Sequence, residues 1–190
     1  MSAEKIIRAG LESFDGLKPG AFYGSADGLS LGCGLIFSGI PIPYFNSDER
    51  QFEILDSLVL VITHECDVAN ERAFNDHVLV CPIIPMLLFA ETYEREHGYD
   101  SALNLTKEIA KNTVHRVFYL PPPADILGDM GALADGGLVY LNRITAANVS
   151  FFGESPGPIC ALSNYGLDRF DRKLTNHLLR PKSETLPITA

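Results

Sequence analysis

No stretch of this 190-residue chain approaches the roughly 20 consecutive apolar residues needed to cross a bilayer. Met1 to Gly20 carries Glu4, Lys5, Arg8 and Glu12 where a secretory signal needs an apolar core, so a cytoplasmic location without membrane association is expected. Cysteine is sparse. Cys33, Cys66, Cys81 and Cys160 are widely spaced with no CxxC pair, which excludes a small disulfide framework and a zinc ribbon and leaves reduced thiols as the expectation. Walker A, GxGxxG and GxSxG patterns do not occur, so phosphate-loop and serine-hydrolase chemistry lack support. Positive charge is also short: a net charge of -9 argues against sequence-independent binding to nucleic acid, which depends on clustered Lys and Arg. One segment departs from this balance. Residues 164–183 hold five basic and two acidic residues, a net +3, which leaves the remainder at -12.

What is present is enough for one well-filled core, with 46% hydrophobic residues over a single-domain length. The most informative stretch is Leu58-Val59-Leu60-Val61-Ile62, five aliphatics that run directly into Thr63-His64-Glu65-Cys66-Asp67. An unbroken aliphatic run of strand length reads as a strand covered on both faces, which would hold the polar residues at the rim of the core. His77 to Ile84 reads as its neighbour. Before it, glycines at 20, 24, 28, 32, 34 and 39, among β-branched and aromatic segments that include Leu29 to Ile40 and Ile42 to Phe45, suggest short strands on a curled sheet.

The periodicities predict helices over 3–14, from Met86 to His97 behind Pro85, over about 101–111, and from Asn164 to Arg180. Further strands are expected over 113–120, 138–144 and 158–162, with Pro121-Pro122-Pro123 ending the first. The expected fold is a single α+β domain: a small, strongly bent antiparallel β-barrel or sheet with an inserted helical pair and a C-terminal helix. Its parts are an N-terminal helix or arm (1–16), a β core (17–84), the helical insertion (85–112), the β core continued (113–163) and the final helix (164–182).

Three chemistries compete for the polar residues. Cys66 leaving a buried strand could be a nucleophile, with His64 or His115 as base and Asp67 as orienting acid. In an extended chain His64 and Cys66 would share one face, opposite Glu65 and Asp67. The plainer alternative makes Cys66 a small core residue and Asp67 a turn residue. A zinc site could instead join His64, Cys66 and Cys81, with His77 or Cys33 completing it. The spacing matches neither HExxH nor the zinc deaminase pattern. In the final helix, Arg169, Arg172, Lys173 and Arg180 span more than one face, which suits a solvated helix or a contact to an acidic protein partner.

The Thr63-His64-Glu65-Cys66-Asp67 strand end, the Phe118-Tyr119-Leu120-Pro121 strand end and the final helix ending in Arg180-Pro181 resemble a set of uncharacterised bacterial proteins, some encoded near mobile or conflict-related genes. That resemblance covers most of the chain and implies no activity. The first half is also similar to the PemK/MazF toxin barrel, through Leu17-Lys18-Pro19-Gly20-Ala21-Phe22-Tyr23 and Val59-Leu60-Val61-Ile62-Thr63. This likeness implies a small SH3-like barrel more than ribonuclease activity, since the toxin's basic loop is missing. The leading expectation is a non-catalytic accessory or adaptor module that binds a larger protein partner, without a cofactor. The alternatives are a Cys66-dependent or toxin-like hydrolase, and a zinc-stabilised binding module.

Overall fold

A strand buried on both faces needs two covers, and this chain supplies both. The computed structural model describes residues 2–16, 19–69, 76–123 and 131–179. Within them β3 (Gln51–Val61) alternates its aliphatics between two cores. Leu58 and Leu60 join Phe22, Ile36, Phe118, Cys160 and Phe170 on one side. Val59 and Val61 join Phe37, Val78, Val80 and Phe152 on the other. The expectation for the aliphatic run therefore holds.

The sheet is antiparallel and eight-stranded. Its other members are β1 (Tyr23–Gly24), β2 (Leu35–Asn46), β4 (His77–Pro85), β5 (Val117–Leu120), β6 (Gly137–Tyr140), β7 (Thr145–Asn148) and β8 (Cys160–Leu162). The order runs β1, β8, β2, β3, β4, β6, β5, with β7 also paired to β4. No ladder joins β1 to β5, so the sheet is open. Its two ends nevertheless meet through side chains. The Tyr23 hydroxyl donates to the Pro121 carbonyl just past β5, and the Phe22 and Phe118 rings stack with centroids 5.8 Å apart.

Helices cover the two rims. α1 (Ser2–Ser13) buries Ala3, Ile6, Ile7 and Gly10. It packs in one cluster with α3 (Met86–His97) and α4 (Tyr99–Ala110), against Tyr119 and Leu138 of the sheet. Pro85 precedes α3 as expected, and Gly98, at φ +81°, separates α3 from α4. α6 (Asn164–Leu178) is capped by Ser163, whose Oγ accepts from the Gly166 amide, so the cap sits one residue before the Asn164 that the sequence suggested. α2 (Glu65–Ala69) and α5 (Val149–Glu154) are short.

The approach of α1 to α4 is set by Gly10. A Cβ there would stand 2.6 Å from Thr106 Cγ2, a distance that two packed helices cannot absorb without moving apart. Gly10→Ala should therefore cost about 1–3 kcal/mol despite alanine's better helix propensity. Denaturant unfolding checks this, and a stabilised variant would show that the helices shift freely.

Candidate binding surface

The Thr63 to Asp67 segment does not continue β3 in extended form. Thr63 Oγ1 accepts from the Leu79 amide at 2.7 Å and ties the strand end to β4. The chain then turns into α2, with the Asp67 amide on the His64 carbonyl at 3.0 Å. Strand alternation thus ends before Cys66, and the same-face argument for His64 and Cys66 no longer applies. His64, Glu65 and Asp67 are exposed, whereas the Cys66 side chain lies outside the described residues. His115 is not in a strand. It is exposed in the turn before β5, three ladder steps from β3 through β4 and β6.

Of the metal set, Cys33 packs against the core cluster that holds Cys81, and the Cys66 side chain lies outside the described residues. Cys81 is fully buried on β4, paired with Leu60 and packed in the core beside Leu58 and Ile83. His77 is exposed at the start of that strand with Asp76 at 3.0 Å. Among the described residues, no three His, Cys, Asp or Glu side chains converge as a metal site requires.

Burial favours the protonated form of the described thiols. It pushes Cys81 and Cys160 up to about 12 and Cys33 to about 11, with a smaller push on Cys33 from the Asp171 charge. At pH 8, Cys81 and Cys160 should carry roughly a thousandfold less thiolate than an ordinary cysteine. Native iodoacetamide labelling read by mass spectrometry should leave both unmodified until denaturant is added. The same shifts fix a sign for stability. The unfolded chain releases these protons first, so stability should decline as pH rises above about 8.5.

The basic residues of α6 are largely engaged within the fold. Arg169 lies over the Tyr165 ring at 5.7 Å and donates to its hydroxyl, and Arg172 pairs with Asp168 at 3.1 Å. Lys173 is buried, and its ammonium donates to the Asn112 and Val114 carbonyls at 2.7 and 2.8 Å. Its charge caps the chain leaving α4. Arg180 lies outside the described residues.

The surface that stands out is one that sequence reasoning passed over. β2 pairs with β8 only at Leu35 and Ile36, and β3 pairs with β4 only from Leu58 to Val61. The remainder of the hairpin, 41–46 against 51–56, is a two-stranded ribbon with no flanking strand among the described residues. A bulge at its base, between Phe37 and Ile40, uses Gly39 at φ +72° to take up the extra residue. The ribbon carries Phe45, Phe52 and Ile54 at 50, 75 and 66% exposure, with Tyr44 and Leu55 also exposed. The Phe45 and Phe52 rings meet edge to face at 5.2 Å.

Beside the ribbon lies a half-open groove of about 930 Å³, lined by it, by Pro82 to Pro85, by Leu88 and by Arg143 to Thr145. Arg143 lies over the Tyr44 and Tyr140 rings at 5.4 and 5.7 Å. The signal for the ribbon was present in the sequence: a polar turn, Asn46 to Arg50, between two apolar runs, one of which contains Pro41 and Pro43.

Among the described residues no helix is long and apolar enough to cross a membrane. A scan of protein-family models gives no match to this chain, and no curated protein matches it.

Proposed function

We propose that this chain is a non-catalytic binding module, an adaptor or accessory subunit that engages a larger protein partner through the β2–β3 ribbon. The observation that carries this reading is the exposure of Phe45, Phe52 and Ile54 on one face of the ribbon and of Leu55 on the other, on an element that no strand flanks among the described residues. Isolated exposed apolar residues are ordinary, but several on a protruding ribbon form the kind of patch that marks an interaction site. Buried aromatic anchors dominate such interfaces, each costing about 2 kcal/mol or more when truncated.

The test is a Phe45→Ser/Phe52→Ser double variant. Both rings are solvent-facing, so the melting temperature should stay close to that of the parent. A protein that co-purifies stoichiometrically with the parent from its native cells should be lost. Retention of that protein by the variant, or recovery of the parent alone, overturns the reading.

The hydrolase and zinc alternatives rest on Cys66. Selective native alkylation of Cys66 with loss of a hydrolytic activity would support the first. Stoichiometric zinc in the purified protein would support the second.

A further inference from the structure

The two long edges of the ribbon are not equivalent. Antiparallel pairing runs without interruption from Ile40 to Asn46, yet β2 contains Pro41 and Pro43, neither of which has an N–H to donate. An intact ladder requires these two positions to face away from β3. The outer edge of β2 is therefore already closed to a further strand, in the way natural sheets protect their edges.

β3 has no such guard. Its even-numbered residues point away from β2: Leu58 and Leu60 face β4, and the Ile62 amide just past the strand reaches the Leu79 carbonyl at 2.9 Å. By the same parity the amides and carbonyls of Phe52, Ile54 and Asp56 face outward, where β4 has diverged and no strand receives them. Phe52 and Asp56 also line the groove.

Among the described residues that line it, the groove has one cation, Arg143. The Arg143 guanidinium lies against two aromatic rings, and no carboxylate among the described residues is within ion-pair distance of it. An exposed guanidinium beside aromatic rings keeps N–H donors available to a planar anion.

Resting on the ribbon as the partner-binding surface, we propose that the partner enters as an extended peptide segment. It adds a strand to the outer edge of β3 along 52–56, buries alternate apolar side chains in the groove, and sets a carboxylate on Arg143. The free main-chain donors and acceptors favour a peptide over an acyl chain, which has a carboxylate but nothing to complete a ladder. Strand addition joins main-chain hydrogen bonds for affinity to pockets for every second side chain.

The test pans the intact protein against a display library of random ten-residue peptides. Enriched sequences should alternate apolar residues and share one acidic position. Their affinity, read by fluorescence polarisation, should fall at least about tenfold in Arg143→Met. It should fall comparably in Ile54→Pro, which removes one outward N–H from an exposed position, and be nearly retained in Ile54→Ser, which keeps it. Should Ile54→Pro fail to fold, N-methylation at alternate residues of an enriched peptide removes the same ladder and should abolish binding.

Failure to enrich any peptide, enrichment without an acidic position, or full binding by Ile54→Pro overturns strand addition. So does a dimer in sedimentation that Ile54→Pro dissolves, because the edge then serves a second copy of the chain. If any of these results appears while the co-purifying partner still depends on Phe45 and Phe52, only strand addition falls. Loss of that dependence removes the binding-module reading itself.

Discussion

Phe22→Ala should lower the unfolding free energy by about 3–5 kcal/mol, the range for removing a fully buried aromatic from a packed core. Phe22 is fully buried, and its ring meets those of Phe14, Tyr23, Phe118 and Tyr165 at centroid distances between 5.5 and 6.1 Å. Those four lie on the segment after α1, on β1, on β5 and on α6. One ring therefore joins the two ends of the open sheet to both terminal helices, where no ladder of hydrogen bonds does so. A loss of that size in a chain of this length corresponds to roughly 6–20 °C in Tm. Phe22→Leu, which keeps most of the volume, should cost no more than about 1.5 kcal/mol. A loss under 1 kcal/mol in Phe22→Ala would mean that the ends of the sheet are held by something other than this ring.

The second large effect concerns a charge. Lys173→Met keeps the length of the side chain but removes the donor that serves the Asn112 and Val114 carbonyls. Hydrogen bonds to charged groups contribute about 1.5–3 kcal/mol net, and two carbonyls would lose their partner at once, so a loss of about 2–4 kcal/mol is expected. Arg172→Ala is the matched control. Its ion pair with Asp168 is exposed on the same helix and should be worth no more than about 1 kcal/mol. Equal effects from the two substitutions would show that Lys173 acts as one more surface cation.

Lys173 also shows where sequence reasoning reaches its limit. Along α6, basic residues on several faces read as solvated because spacing gives only local neighbours. The groups that claim Lys173 lie 59 and 61 residues away in sequence. Where the determinant is local, reading succeeds. Leu58 to Val61 is strand, as the unbroken aliphatics predict, with Ile62 just past its end, and α3 starts after Pro85, which suits a helix start, and stops at Gly98, which takes a φ of +81° that other residues resist.

The strand expected from Thr113 begins only at Val117, since Thr113 Oγ1 donates to the Glu108 carbonyl and holds that stretch to the end of α4. β7 was not anticipated at all. Thr145-Ala-Ala-Asn148 has little strand character of its own and is extended because it pairs with His77 to Val80. The ribbon was half legible. Its turn and both apolar runs were read, but Pro41 divided in sequence what Gly39 and an outward-facing edge unite in space. Of the candidate site, neither the exposed aromatics of the ribbon nor Arg143 is among the residues the sequence singles out.

The ribbon also bears on the chain's surplus of acid. An apolar rod with one open edge is the shape that lets proteins zip together into insoluble stacks. Asp48, Glu49, Glu53 and Asp56 fall along this rod and its tip, so each copy meets the next with like charge before their edges can touch. Acidification toward the pI of about 4.9 would cancel the net charge that holds whole copies apart. The electrostatics that argue against nucleic acid can thus be understood as keeping a sticky arm from finding its own kind.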